Sequence, residues 1–470
     1  VLKYFGQMCL VLAALTLAPF VVALLFGEIH ISLRYGLVVA GLTAFGISVA
    51  RLPAPASVQA NEGMVLVALM FIFTPLIMAY PMMGFGLSYL DAWFEAVSGV
   101  TTTGLSTQAS LSGASSAFLF GRAWMQWYGG LGIVVLAVAL VMQPGLLAKG
   151  LAVNEVKADD LVGGTKVHMR RVLKVYGTLT VIGILGSLLV GLGLFDAVLY
   201  TFAAISTGGF APHDGSLATL AWPAHVWITL TCLAGAVPLT LYHRSRWQTG
   251  SAAVDVLQLV AVLAAAAVVT VLLGASMRLG GLPWEQVLHQ APMLGFSAQT
   301  TAGFSLMSPS QLEPGSKLVT IFAMIVGGGV GSTAGGFKML RLLILASVFR
   351  LVIVRTCLPR HAVIEPRLAG RRLYADEIQD ALLLILLFVI VVAASWLVFV
   401  ASDYDPLDAL FEVVSATGTV GLSAGITNAD LPAYLKTVLC ADMLLGRLEM
   451  IAWLVMLFPG TWFGRRMEMP

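Results

Sequence analysis

The chain has 470 residues, 59% of them hydrophobic and only 11% charged, with a mean hydropathy of +0.92 and a formal net charge of +2. A soluble domain carries about 25% charged residues, so this chain lacks the polar surface of a water-soluble fold and reads as a polytopic α-helical membrane protein. The net charge says nothing about nucleic acid, but no dense basic tract of the kind that binds it is evident, so no nucleic-acid partner is expected.

In chain order, apolar runs long enough to cross a bilayer predict ten spans, near 6–27, 36–50, 64–83, 118–143, 172–193, 222–241, 254–275, 317–349, 378–401 and 434–463. The first is read as a retained helix, because more spans follow directly and no small-residue cleavage site is evident. The second is short for a full crossing. The eighth and tenth are long, and the eighth is interrupted by "GGGVGSTAGGFK" at 327–338, a string that an ordinary helix does not tolerate. Four cysteines, Cys9, Cys232, Cys357 and Cys440, lie in or beside apolar runs without CxxC spacing and read as packing residues.

Between spans three and four, five and six, seven and eight, and nine and ten lies a different kind of segment. Each has an apolar stretch of about ten residues, too short to cross, followed by a small, polar, glycine-containing run. These runs are "TTGLS" at 102–106, "TGGFA" at 207–211, "TAGFS" at 301–305 and "TVGLS" at 419–423, sharing the pattern Thr-x-Gly-[Leu/Phe]-[Ser/Ala]. Thirteen residues before each glycine stand Asp91, Asp196, Gln290 and Asp408, each followed by alanine. Six before it stand Ser98, Ala203, Ser297 and Ser415; nine before it, Glu95, Tyr200, Leu294 and Glu412. One unit is therefore used four times: span, half-span helix, glycine-bearing strand, span. The predicted organisation is two N-terminal transmembrane helices in 1–60, then pore repeats at 61–150, 151–250, 251–360 (with the interrupted span) and 361–470.

Charge orients the chain. Of its 26 Lys and Arg, 18 fall in 144–175, 242–255, 338–376 and 464–470, whereas only Arg122, Arg278, Lys317 and Lys436 lie on the side of the half-span segments. By the positive-inside rule the repeat connections and both termini are cytoplasmic, and the half-span segments dip in from outside.

Non-helical backbone survives at membrane depth only where it is buried in protein or lines a watery cavity. A helix of ten to twelve residues reaches roughly 15–18 Å, about half the hydrocarbon thickness. Its C-terminal end carries about half a negative charge, so four such ends around one axis favour a cation. Glycine then lets backbone carbonyls turn to the axis, where a carbonyl ring replaces the hydration shell of a potassium ion. The predicted ligands are Thr102, Thr103 and Gly104; Thr207, Gly208 and Gly209; Thr301, Ala302 and Gly303; and Thr419, Val420 and Gly421.

At these residues the sequence resembles a known family. "TVGLS" is similar to the Thr-Val-Gly-Tyr-Gly filter of potassium channels, and the fourfold unit in one chain resembles the Trk/Ktr/HKT superfamily. The two extra N-terminal spans and the arginine in the last span narrow this to the bacterial TrkH-type potassium-uptake subunits. The resemblance implies a potassium transporter of the bacterial cytoplasmic (inner) membrane, forming a homodimer with a cytosolic nucleotide-binding regulatory subunit of TrkA type. It implies potassium as the transported ion and no organic cofactor in this chain. It also implies an intramembrane gate loop, here Gly327, Gly328, Gly329, Gly331, Ser332, Thr333, Gly335 and Gly336. The second filter glycine and the tyrosine are absent, so the outer sites are expected to be less regular and rejection of sodium less strict.

Other residues carry narrower expectations. Glu95 and Glu412 sit on the half-span helices, where bonding the strand backbone is expected. His213 and Asp214 are expected to be solvated, Lys338 to snorkel to the cytoplasm, and 327–336 to be mobile and poorly helical. Arg447 lies mid-span in "DMLLGRLEMIAW", with no carboxylate three or four residues away; it reads either as a buried salt bridge to another helix or as a cation at the pore, bonded to loop carbonyls and forming part of the gate. The glycine string lacks the strand and GxxxxGK[ST] order of a nucleotide loop. A less selective K+/Na+ transporter is one alternative. A membrane-embedded enzyme or scaffold is another, disfavoured because no constellation with catalytic spacing appears.

Overall fold

Two helices, α1 (Leu2–Leu25) and α2 (Ile29–Ala50), form an antiparallel hairpin at the N-terminal end of the chain. Small residues set their approach: a methyl group on Gly6 would lie 2.7 Å from Ala50 N, and one on Gly46 would lie 2.9 Å from Gly6 O. The second predicted span is therefore not short. α2 has 22 residues, because the polar stretch around Arg34 continues the helix, with the Arg34 guanidinium donating to Tyr80 O and lying over the Tyr80 ring. This computed structural model describes residues 1–53, 59–108, 110–141, 161–243, 251–357, 359 and 365–462. The end of the fourth predicted span, the end of the tenth and the basic tail at 464–470 lie outside the described residues.

The remaining helices differ widely in length, from 9 residues in the last to 29 in two of the longest. They run α3 (Ala60–Met82), α4 (Tyr89–Val100), α5 (Ser116–Val141), α6 (Leu161–Leu189), α7 (Leu194–Ile205), α8 (Trp222–Ala236) and α9 (Ser251–Leu279). There follow α10 (Trp284–Gln299), α11 (Pro314–Val326), α12 (Met339–Thr356), α13 (Ala375–Val400), α14 (Pro406–Thr417), α15 (Ala433–Arg447) and α16 (Glu449–Leu457). Six helices among the described residues are long and apolar enough to cross a membrane by themselves. A two-residue hairpin, Arg367–Leu368 against Arg371–Arg372, is a minor addition to an all-α chain.

Two of the short helices start on side-chain caps. Ser88 Oγ accepts from Asp91 N at the start of α4, and Asp405 accepts from Leu407 N and Asp408 N at the start of α14, where Pro406 takes the first helical position. Each short helix packs on the span before it: α4 on α3, α7 on α6, α10 on α9 and α14 on α13. The span that follows packs on the short helix of the next unit, as α5 on α7, α8 on α10, α11 on α14 and α15 on α4. The last contact returns to the first unit, so the order is cyclic.

The eighth predicted span is two helices. α11 ends at Val326, α12 starts at Met339, and positive φ at Gly327, Gly331, Gly336 and Lys338 turns the chain between them. The tenth is also broken. α15 stops at Arg447 and α16 starts at Glu449, so Arg447 ends a helix instead of sitting in the middle of one. Trp453 Nε1 donates to Leu444 O at 3.0 Å, an oxygen that also accepts from Leu448 N at 3.4 Å, and so ties α16 to the end of α15. The sixth span shortens likewise: α8 ends at Ala236, with an extended Val237 before Pro238.

Candidate ion pathway

Each short helix runs directly into its glycine-bearing strand, and the four strands share one backbone course. The pattern threonine has positive φ in all four: Thr102 at 53°, Thr207 at 52°, Thr301 at 55° and Thr419 at 49°. The pattern glycine follows at 97° in Gly104, 76° in Gly209, 73° in Gly303 and 90° in Gly421. A β-branched residue in this region costs about 1–3 kcal/mol and persists only where the surroundings enforce it.

The strands also touch in a cycle. A methyl group added at Gly104 would overlap Gly208 O, one at Gly209 would overlap Ala302 O, one at Gly303 would overlap Val420 O, and one at Gly421 would overlap Thr103 O. Each glycine thus packs on the middle carbonyl of the next strand, and the fourth returns to the first. Only glycine combines this φ with this approach. All twelve sequence-predicted ligand residues lie on these four strands. The hydroxyls of Thr102 and Thr419 are buried without a hydrogen-bond partner, which leaves oxygen lone pairs unused in a site of oxygen donors.

Carboxylates hold two strands from behind. Glu95 Oε1 accepts from Ser106 Oγ at 2.5 Å and Thr107 N at 3.0 Å; Glu412 accepts from Ser423 Oγ at 2.8 Å, Ala424 N at 2.9 Å and Thr427 N at 3.1 Å. Both are fully buried and structural, as their position on the half-span helices suggested. Ser98 Oγ and Ser415 Oγ accept from Gly104 N and Gly421 N, each at 3.0 Å. Arg122, on α5, lies 2.9 Å from Glu95 through Nε, and its guanidinium covers the Phe210 ring at 3.8 Å.

The strand of the second unit is held differently. Gln126, one helical turn after Arg122, donates from Nε2 to Gly208 O at 2.5 Å and accepts at Oε1 from Phe210 N at 3.2 Å. Nothing in the repeat pattern pointed to Gln126. The available signal was a glutamine within an apolar span, where an amide needs partners.

Beneath the strands lies the 327–338 segment. It is non-helical, as expected, but anchored: Gly329 N donates to Ala236 O at 3.1 Å, Thr333 N to Gly235 O at 3.1 Å, Phe337 N to Ile325 O at 2.8 Å and Val330 N to Gln258 Oε1 at 2.8 Å. It also reaches the strands themselves. Gly335 N donates to Thr301 Oγ1 at 2.8 Å, and Gly336 N donates to Gly418 O at 3.1 Å. Gln299, immediately before the third strand, donates to Gly327 O at 2.8 Å. Arg447 is 3% exposed and donates through Nη1 to Thr333 O at 2.7 Å. A loop carbonyl is thus its acceptor, and among the described residues no carboxylate pairs with it. Gly446 lets α15 pack closely on the end of α14, since a side chain there would overlap Thr417 O.

One peripheral expectation fails and another holds. Lys338 is 5% exposed and buried at the start of α12, so it does not snorkel. Asp214 is exposed but engaged, accepting from Ser110 Oγ at 2.6 Å and Leu111 N at 2.5 Å, while His213 meets Asp196 at 3.2 Å. The loops that follow the strands of the first and second units are therefore tied together.

Long apolar helices, short helices packed on them and non-helical strands buried between them define an all-α polytopic membrane protein. A family model described as "TrkH: Cation transport protein" matches residues 50–245 and 248–459. The chain belongs to the TrkH family, and it is a transporter, not an enzyme. Among curated relatives, the Trk system potassium uptake protein TrkH of Halomonas elongata is 28% identical, covering 98% of each chain. An uncharacterized cation transporter of Methanocaldococcus jannaschii is 27% identical, over 97% of this chain and 94% of that one. The crystal structure of the potassium transporter TrkH from Vibrio parahaemolyticus shares the fold, with a TM-score of 0.82 at 24% identity over 98% of this chain and 99% of that one.

Proposed function

We propose that this chain carries potassium ions into the cell through a filter made by residues 102–104, 207–209, 301–303 and 419–421, one from each of four pore repeats. The observation that carries the reading is the cyclic contact of each strand glycine with the next strand's middle carbonyl. Such a ring presents backbone oxygens at one level, and the C-terminal ends of α4, α7, α10 and α14 add negative potential there. The unpartnered hydroxyls of Thr102 and Thr419 supply further oxygens. The names of the relatives support potassium as the cargo. Potassium is substrate here, and no organic cofactor is needed.

Residues 327–336 and Arg447 form the gate in this reading. The segment bonds the inner ends of the third and fourth strands, and a guanidinium held on Thr333 O repels a cation leaving the filter. Family resemblance supports a homodimer that takes its nucleotide control from a cytosolic TrkA-type partner, in a cytoplasmic membrane with both termini inside. A less selective K+/Na+ transporter is the second reading, favoured by Leu105, Phe210, Phe304 and Leu422 standing where channels carry the filter tyrosine. Rubidium uptake into liposomes holding the purified chain, with potassium or sodium as competitor, tests both. Competition by potassium alone supports the first reading, equal competition supports the second, and no uptake in any gradient contradicts both.

A further inference from the structure

The four strands are not anchored alike. In the first and fourth units the strand glycine N–H donates to a serine six residues upstream, and a buried glutamate nine residues upstream binds the amides beyond it. The second unit has neither device, since Ala203 and Tyr200 stand at those two positions. Tyr200 instead donates to Ser216 O at 2.8 Å, in the outer loop.

Gln126 fills this gap from the neighbouring unit. It is fully buried, and its amide lies flat against Cα of Gly208, so that a methyl group there would overlap the Gln126 amide carbon. The edge of that amide donates through Nε2 to Gly208 O and accepts at Oε1 from Phe210 N, gripping the strand on both sides of Gly209. This explains a departure in the sequence: the middle position is Thr103, Ala302 and Val420 in the other strands but Gly208 here. Arg122, four residues earlier on the same face of α5, covers the Phe210 ring, so both grips come from one helix.

We infer that Gln126 is a specificity-determining positioning residue, which sets where the Gly208 carbonyl stands in the ring and thereby how well potassium is preferred over sodium. The inference rests on the filter reading. A carbonyl has two lone pairs, and Gln126 occupies one of those on Gly208 O, fixing the oxygen while leaving the other for an ion. Without the grip, that oxygen is free to move inward and suit a smaller cation.

The test is rubidium uptake by purified variants in liposomes, read as the ratio of sodium to potassium concentrations that halve it. Gln126→Leu removes both hydrogen bonds and should lower that ratio about three- to tenfold, the range expected for losing the one that holds the Gly208 oxygen. Gln126→Glu keeps the volume and the Phe210 N acceptor but sets a carboxylate against Gly208 O; it should lower the ratio at least as far. Adding Ala203→Ser to Gln126→Leu recreates the serine anchor of the first and fourth units at Gly209 N and should restore most of the preference. An unchanged ratio in both Gln126 variants, while Gly209→Ala loses selectivity, would overturn the inference and leave the filter reading standing. A loss that Ala203→Ser fails to restore would reduce Gln126 to a packing residue and also overturn it. An unchanged ratio in Gly209→Ala as well would bring down the filter reading itself.

Discussion

Lys436 Nζ donates to Asp91 Oδ1 at 2.6 Å, joining side chains 345 positions apart. Lys317 makes the corresponding bond to Asp408 at 2.5 Å. In each case a lysine on the second span of one unit reaches the aspartate in the first turn of the next half-crossing helix. Lys436 to Asp91 is the bond that returns from the last unit to the first.

The Lys436 and Asp91 side chains are 5% and 20% exposed, so both ions are largely desolvated. Removing one partner from a buried pair costs about 3–5 kcal/mol, and the partial exposure of Asp91 lowers the expectation to about 2 kcal/mol. Lys436→Gln or Asp91→Asn should lower the melting temperature in detergent, and the double variant should fall by less than the sum. Fully additive losses would mean that the two residues stabilise the fold separately.

The strand glycines should be intolerant of side chains in all four units. At Gly104, serine faces both positive φ and overlap with Gly208 O. Gly104→Ser should let sodium compete better for uptake by about tenfold, with smaller or larger shifts at Gly209, Gly303 and Gly421. Unchanged competition across the set would contradict the assignment.

Arg447 should act through its charge. At an effective dielectric of about 20, a unit charge 4 Å from a potassium ion costs roughly 4 kcal/mol, close to a thousandfold barrier. Arg447→Ala should raise basal uptake strongly, while Arg447→Lys should keep most of the barrier. Equal uptake by parent and Arg447→Ala, with normal insertion, would make the arginine a structural anchor for Thr333 O.

Much of this was legible because the repeat writes itself in residue types. Thr-x-Gly recurs at four places, and the backbone repeats there down to the sign of φ at Thr102, Thr207, Thr301 and Thr419. The glycine string at 327–338 was enough to predict the break in the eighth span, since so many glycines cannot hold a helix. The break after Arg447 was not legible, because Leu448 and its neighbours are good helix formers and the turn is imposed by packing. Gln126, the lysine–aspartate bonds and the Asp214 tie join positions far apart in sequence. No local period encodes such contacts, and they follow only from which spans the fold makes neighbours.

Order in the loops that follow the first and second strands should depend on pH. Ser110 Oγ and Leu111 N, donating to Asp214, hold its carboxyl below the usual carboxylate range. The ionised form is therefore favoured in the folded protein, so this contribution is fully present above about pH 4 and is lost as the pH falls through the lowered value. Hydrogen exchange at Leu111 N should be slow and constant from pH 7 to pH 5, after correction for intrinsic rates, and lose protection only as the pH falls below the ordinary carboxylate range, under about pH 4. Asp214→Asn should abolish that transition. Its persistence in the variant would assign it to another group.

The central claim is that the four strands form one ion-binding ring, and rubidium anomalous scattering from crystals of the protein tests it most directly. The account predicts an anomalous peak enclosed by the carbonyl oxygens of Thr103, Gly208, Ala302 and Val420, displaced by excess potassium and weakened in Gly421→Ser. Ordered strands with no peak between them, or a peak bound elsewhere in the membrane region, would contradict it.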